Sequence, residues 1–236
     1  MFLFVFLAIC LWGPAIQAAD SNLDKEKTQF FHLLARAQKG DVEAERSVGL
    51  ALAQGKGCAK DQEQAILWLE RAAKKKDQWA QNGLGFLYAQ KGREQDAKYW
   101  YEAAVKQGNE LAKSNLAGVL AREGGKDNVA RAQALYKSAG KSEPRALYNL
   151  AQLHLKLGQR EKAIGYLKQA LNRGVVSASY QLGSLYEDND DSEQAIVYYK
   201  TALKQGSQDA LARLEALGVT DTNLGERQPL LKGRIN

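Results

Sequence analysis

Chemistry in this sequence would have to come from a short list of side chains. His32 and His154 are its two histidines, and Cys58 is its one cysteine outside an apolar run at the N-terminus. A cysteine nucleophile needs a base beside it, and zinc needs three or four clustered ligands. The spacing of these residues offers neither. His154 occupies a periodic position filled elsewhere by Leu52, Tyr88, Leu120 and Tyr186, which makes it a packing residue. Cys58 lies in a glycine-rich turn, either as an exposed, oxidisable thiol or as a small residue the turn tolerates. The run Glu187-Asp188-Asn189-Asp190-Asp191 has the acid density of a calcium loop, but it lacks the central glycine and the distal bidentate glutamate. Asp191 reads instead as a helix cap. Lys74-Lys75-Lys76 would attract nucleic acid or anionic lipid; at a helix C-terminus, where cations complement the dipole, it reads as a solvated end. No phosphate loop follows a strand, because no segment reads as one. The expectation is a protein that is not an enzyme and that holds no metal and no cofactor.

Composition agrees with a folded chain. Of 236 residues, 45% are hydrophobic and 25% charged, the formal net charge is +6, and there are only 3 prolines. That balance excludes disordered, collagenous and polytopic membrane classes. Phe2 to Trp12 is continuously apolar, and Gly13-Pro14 and small residues around Ala18 follow it. This is the pattern of a secretory signal over residues 1–18 with cleavage after Ala18, and the run is well short of the ~20 residues a spanning helix needs. An uncleaved anchor is the alternative. With one cysteine left after cleavage, no internal disulfide forms, and a periplasmic or secreted location is expected.

The rest of the chain is one phrase repeated. Alanines at 44, 80, 112, 146, 178 and 210 recur at intervals of 36, 32, 34, 32 and 32 residues. Each opens a helix whose offsets 4, 5 and 8 share its face: Val48, Gly49 and Leu52; Leu84, Gly85 and Tyr88; Leu116, Ala117 and Leu120; Leu150, Ala151 and His154; Leu182, Gly183 and Tyr186. This is helix A. Helix B repeats an alanine, a large residue four on and a small one seven on, as in Ala65, Leu69, Ala72; Ala97, Tyr101, Ala104; Ala132, Tyr136, Ala139; Ala163, Leu167, Ala170; Ala195, Tyr199, Ala202. Small residues against large ones let two helices approach closely. The punctuation agrees: Asp61 with Gln64 and Asp191 with Gln194 form reciprocal capping pairs, Gly40, Gly108, Gly174 and Gly206 end helices, and Pro144 opens one.

The segment Gly49-x-x-Leu52-Ala53-Gln54-Gly55-Lys56-Gly57-Cys58-Ala59-Lys60-Asp61, running into Ala65-x-x-Trp68 and Ala72-Ala73, resembles the Sel-one-like repeat (SLR), a branch of the tetratricopeptide superfamily. Residues 41–76 match it at full length. Later units lose most of the loop within the repeat and follow tetratricopeptide spacing. The resulting fold class is all-α, an α/α solenoid of stacked antiparallel helix pairs in a right-handed superhelix. Five repeats span 41–206, and with flanking helices the repeat domain covers 28–217, after an extension at 19–27 and before a flexible tail at 218–236. A helix pair cannot bury its apolar face alone, so stacking is obligatory.

The resemblance implies that helix A lines a concave groove and that the groove binds another protein. Its non-packing positions are Arg46, Trp79, Asn82, Phe86, Gln90, Ser114, Arg122, Arg145, Tyr148, Gln152, Lys156, Tyr180 and Glu187. Arg, Trp and Tyr dominate binding energy where they become desolvated. For Trp79 and Phe86, packing between repeats is an equal reading. Relatives of this kind include envelope assembly scaffolds, motor and signalling accessories, and periplasmic immunity proteins that neutralise phospholipase effectors of type VI secretion. The partner implied is therefore a protein, with neither nucleic acid nor stable membrane insertion, and the tail carrying Pro229-Leu230-Leu231 is a candidate cover for the groove.

Overall fold

The computed structural model describes residues 13–219, with side chains from residue 23 onward. Residues 1–12 of the expected signal and residues 220–236 of the expected tail lie outside the described residues. The described residues form twelve helices and no strand: α1 (Gly13–Gln38), α2 (Val42–Gln54), α3 (Gln62–Lys74), α4 (Gln78–Gln90), α5 (Glu94–Lys106), α6 (Glu110–Glu123), α7 (Lys126–Ala139), α8 (Pro144–Lys156), α9 (Arg160–Asn172), α10 (Ser177–Glu187), α11 (Ser192–Lys204) and α12 (Gln208–Ala216). The all-α solenoid class is thus observed. The chain divides into two compact units, one ending at Val119 and the other beginning at Leu120, so the division falls within α6.

In the first unit α1 packs on α2, α2 on α3, α3 on α4 and α4 on α5. The alanine frame explains how closely. A methyl group added at Gly49 would lie 2.7 Å from Leu69 Cγ, and one added at Gly85 would lie 2.7 Å from Tyr101 Cδ1. Offset 5 of helix A is small because offset 4 of helix B fills the space above it. The flanking helix expected from residue 28 is the end of the longer α1, whose backbone is helical from Gly13 and so includes the segment 19–27 expected as an extension. Its last turns repeat the helix B phrase with Phe30, Leu34 and Ala37, packed against Ala44 and Val48.

In the second unit α7 packs on α8, α8 on α9, α9 on α10, α10 on α11 and α11 on α12. One cluster joins Ala151, Ala163, Leu167, Ala170, Ala178 and Leu182; another joins Ala195, Tyr199, Ala202, Ala210 and Leu214. Val219 belongs to the latter cluster and is buried, so the chain stays packed up to that residue, one position beyond where a flexible tail was expected to begin.

The caps hold with one change. Asp61 accepts from the N–H groups of Glu63 and Gln64 at 3.1 and 3.0 Å, and Asp191 accepts from Gln194 at 3.1 Å. The reciprocal Gln bonds expected back to the cap are not made. The N–H of Asp61 already donates to Leu52 O and that of Asp191 to Tyr186 O, which ties each cap to the end of the preceding helix. Helix A has caps of its own that the motif reading passed over, with Asp41, Asp77 and Asn109 each accepting from the repeat alanine three residues on. Pro144 sits in the first turn of α8 behind the cap Glu143. Gly40, Gly108, Gly174 and Gly206 adopt φ between +86° and +94°, as a left-handed helix end requires. Lys76 takes the same place before Ala80 with φ of 65°, where a Cβ is unfavourable.

Candidate functional site

Helix A in the first unit presents a mixed face. On α4, Trp79 and Phe86 are 48% and 50% exposed, and their seven-residue spacing puts them on one side of the helix. Leu111, which holds in α6 the position Trp79 holds in α4, is also exposed. Between them Asn82 Oδ1 accepts from Asn115 Nδ2 at 2.9 Å, linking α4 to α6. Arg46 of α2 is engaged within the fold: Nη1 donates to Asp77 Oδ2 at 2.7 Å, and Nη2 lies 3.3 Å from Glu43. Gln90 accepts from Gln62 at 3.4 Å. Ser114 is only 9% exposed, so its side chain faces protein and the sequence placed it wrongly on an open face. What remains open is apolar and amide in character, with its charge neutralised internally.

The second unit differs. Arg145 and Lys156 are exposed on α8, with Tyr148 and Gln152 between them, half-buried. Arg122, in the final turn of α6, is exposed as well. Tyr180 of α10 leans on Tyr199 with ring centroids 5.4 Å apart. Glu187 is held by the fold: Tyr199 Oη donates to it at 2.6 Å, and Arg213 donates from both Nε, at 3.1 Å, and Nη2. Those hydrogen bonds, from Arg213 first and then Tyr199, keep the Glu187 carboxyl below its ordinary range. The Tyr199 hydroxyl is pushed up to about 12 by burial and by Glu187. A carboxylate so held is a structural ion pair joining α10, α11 and α12, and a poor general base.

The residues with chemical potential are likewise absorbed by packing. His154 is buried, its Nδ1 lies 2.8 Å from Gln159 Oε1, and its ring stacks on Tyr166 at 5.3 Å and 11°. Cys58 is half-buried beside α1 and α2, not an open thiol, and burial raises its pKa. A thiol with less thiolate is a weaker nucleophile. Within the acidic run, Asp188 pairs with Arg160 at 3.6 Å and Asp191 caps α11. Among the described residues no group of three or more His, Cys, Asp or Glu could hold a metal ion, and no helix is long and apolar enough to cross a membrane.

One polar site escaped the sequence reading. Glu45 has no exposed surface; Lys75 Nζ donates to its Oε2 at 2.9 Å, and Arg71 Nη2 lies 3.1 Å from Oε1 without hydrogen-bond geometry. Lys75 also donates to Gly40 O at 3.0 Å, so it is a latch, whereas Lys74 is the solvated helix end the sequence suggested. The residue after the repeat alanine meets the C-cap of helix B in other pairs too: Gln107 donates to Gln81 and Ser179 to Gln205, each at 2.7 Å. Comparing residues 45, 81 and 179 with 75, 107 and 205 shows this only after helix ends are located.

Comparison with known proteins fits this geometry. The Sel1 repeat family model matches residues 42–77 and 80–109, the pairs α2–α3 and α4–α5. Tetratricopeptide repeat models match 144–173 and 176–205, the pairs α8–α9 and α10–α11. Among curated proteins none matches. The protective antigen c5321 of uropathogenic Escherichia coli, described as displaying an SLR fold, aligns with a TM-score of 0.70 at 22% identity over 83% of this chain; the chain spans 46% of that protein. A Sel1 repeat protein from Oxalobacter formigenes aligns with a TM-score of 0.67 at 22% identity, covering 89% of this chain and 88% of that one. PilF of Pseudomonas aeruginosa aligns with a TM-score of 0.63 at 20% identity, covering 77% and 86%. At these identities the likeness is one of fold.

Proposed function

We propose, for a chain that belongs to the Sel1-like branch of the tetratricopeptide superfamily, that it is an exported, non-enzymatic module which binds a partner protein on the exposed faces of its helix A elements. Sel1 and tetratricopeptide folds mediate protein–protein interaction and are typically non-enzymatic scaffolds. The observation that carries the reading is the half-exposed pair Trp79 and Phe86 on one face of α4, where each ring is left for a partner to cover. Large rings on a rigid helix are efficient anchors because few rotamers freeze when they are desolvated.

Export rests on the N-terminal pattern, and a periplasmic location follows from it. Two finer roles fit such a module. One is immunity against a type VI phospholipase effector, and the other is an envelope assembly scaffold or a signalling or motor accessory. The test is affinity capture from the native envelope with the chain lacking residues 1–18, followed by binding of the captured protein to Trp79→Ala and Phe86→Ala variants. Each variant is expected to weaken binding by more than ~1 kcal/mol. An effector lipase in the capture selects immunity, an envelope assembly component selects the scaffold, and unchanged binding by both variants rejects the face.

A further inference from the structure

Four side chains form one stripe along α8: Arg145, Tyr148, Gln152 and Lys156, at steps of three, four and four residues, on the side away from the buried Ala146, Leu147, Leu150 and Ala151. What they share on one face is unmet donor capacity. The guanidinium of Arg145, the ammonium of Lys156 and the hydroxyl of Tyr148 have no hydrogen-bond or ion-pair partner among the described residues, and Gln152 Nε2, itself buried, has no hydrogen-bond partner either. The other described arginines of the unit are engaged, Arg160 by Leu185 O and Asp188, Arg173 by Gly140 O and Lys141 O, Arg213 by Glu187, and Arg122 and Arg131 also have partners, whereas Lys126, Lys137 and Lys204 are unpaired on other helices. Helix α8 itself contains no Asp or Glu. Its cap, Glu143, is turned back onto the Arg145 backbone N–H at 3.3 Å, and Glu187, the one acid of α10, is held by Arg213 and Tyr199.

We infer that this stripe receives an acidic segment of a partner protein, with carboxylates at Arg145 and Lys156 and backbone or side-chain oxygens at Tyr148 and Gln152. Unpaired donors of one sign on a face without acids demand an acceptor-rich occupant, and a guanidinium takes a carboxylate in bidentate fashion. Spacing sets the size. Eleven residues of helix separate the two cations by roughly 16 Å, which an extended chain crosses in about five residues. The segment therefore carries acids about five positions apart. The chain's own residues 220–236 do carry two acids five apart, Asp221 and Glu226, but Arg227 adjoins the second and Lys232 and Arg234 follow, so the segment brings more cations than acids to a face that is already cationic and is the poorer occupant. The inference rests on the helix A reading of the proposed function but commits to different residues, so the two can fail separately.

The probe is a fluorescein-labelled peptide, Glu-Gly-Gly-Gly-Gly-Glu, with a Gln-for-Glu counterpart, titrated by anisotropy at low salt against the chain lacking residues 1–18. The expected result is binding of the Glu peptide that falls by about tenfold in Arg145→Gln and Lys156→Gln together, weakens as salt rises, and is absent for the Gln peptide. Both residues are exposed, so the double variant should melt with the parent, and a Trp79→Ala control should bind the Glu peptide as the parent does. Equal binding of Glu and Gln peptides, or binding untouched by the double variant, overturns the inference while leaving Trp79 and Phe86 to be judged by the captured partner. So does peptide binding that appears only after removal of residues 220–236, which would make the tail the occupant. Tighter binding of an oligothymidylate through the same two cations would also overturn it, in favour of nucleic acid.

Discussion

The two units share an alanine frame and fill it with different chemistry. In the Sel1 pairs the helix B residue ahead of Leu69 or Tyr101 is Trp68 or Trp100; Arg71 lies 4.4 Å from the Trp68 centroid, Trp100 meets Tyr99 edge-on at 5.0 Å, and Arg93 lies 4.3 Å from the centroid of Tyr88 on helix A. In the tetratricopeptide pairs the same position holds Tyr166 and Tyr198, stacked flat on His154 and Tyr186 at 5.3 and 5.4 Å. The open faces diverge further, with Trp79 and Phe86 in one unit and Arg145 and Lys156 in the other. Small residues at fixed offsets set how closely helices approach, and larger residues at the rim and on the face vary freely as long as that approach is kept. Recognition can therefore differ between units without any change of architecture.

The sharpest way to break this comparison is to overfill the frame in each unit. Ala104 and Ala170 both have no exposed surface and hold the same offset of helix B. Ala104→Phe and Ala170→Phe should each destabilise the chain by about 1–3 kcal/mol, because no neighbour has room to give. Urea unfolding midpoints measure the loss. If one variant unfolds with the parent, the frame is not shared and the register of that unit is wrong.

A smaller effect separates the latches. In the first unit the end of α3 is secured by the charged pair Lys75–Glu45, while the end of α5, by Gln107–Gln81, and in the second unit the end of α11, by Ser179–Gln205, are secured by neutral pairs. Lys75→Met leaves a carboxylate without exposed surface and with only Arg71 beside it, a loss of about 2 kcal/mol once the exposure of both cations is discounted. Gln205→Leu should lose under ~1 kcal/mol, since Ser179 Oγ still donates to Val176 O at 2.7 Å. Equal losses from the two variants would remove the distinction.

Acid acts on the second unit through Glu187. Its folded carboxyl titrates below the ordinary value of 4.5, so the stability it supplies is fully present above that value and is lost as pH falls through the folded one. Arg213→Gln should raise the folded value and flatten the decline in melting temperature below pH 4.5. An unchanged acid limb in that variant would assign the decline to other carboxylates, Asp41 of the first unit among them, which its Ala44 N–H and Arg36 also hold low.

Much of this was legible in the residues and some was not. The alanine ladder, the glycine helix ends and the absorption of His154 follow from spacing, because a helix of fixed pitch turns spacing directly into position. The open face was read only in part. Offsets locate the side of a helix but not the partner a polar group will find, so Arg46, Asn82 and Glu187 read as available though Asp77, Asn115 and Arg213 engage them. Glu45 was passed over for the converse reason. A charged residue beside a repeat alanine looks solvated until Lys75, thirty residues later, is seen to reach it.

The smallest effect tests the helix ends. Four repeat boundaries place glycine at positive φ, and the boundary before Ala80 places Lys76 there at 65°. A side chain in this region costs about 1–2 kcal/mol, whereas glycine's freedom in the unfolded chain costs roughly 0.5–1 kcal/mol. The difference has a sign: Lys76→Gly should stabilise by about 0.5 kcal/mol. Gly174→Ala, at φ of 86° with open space around the added methyl, isolates the backbone contribution and should destabilise by about 1 kcal/mol. Paired unfolding curves read both. If Lys76→Gly lowers stability, the lysine side chain makes a contribution at that boundary larger than its backbone strain, and that one boundary follows a different rule from the glycine ends at 40, 108, 174 and 206.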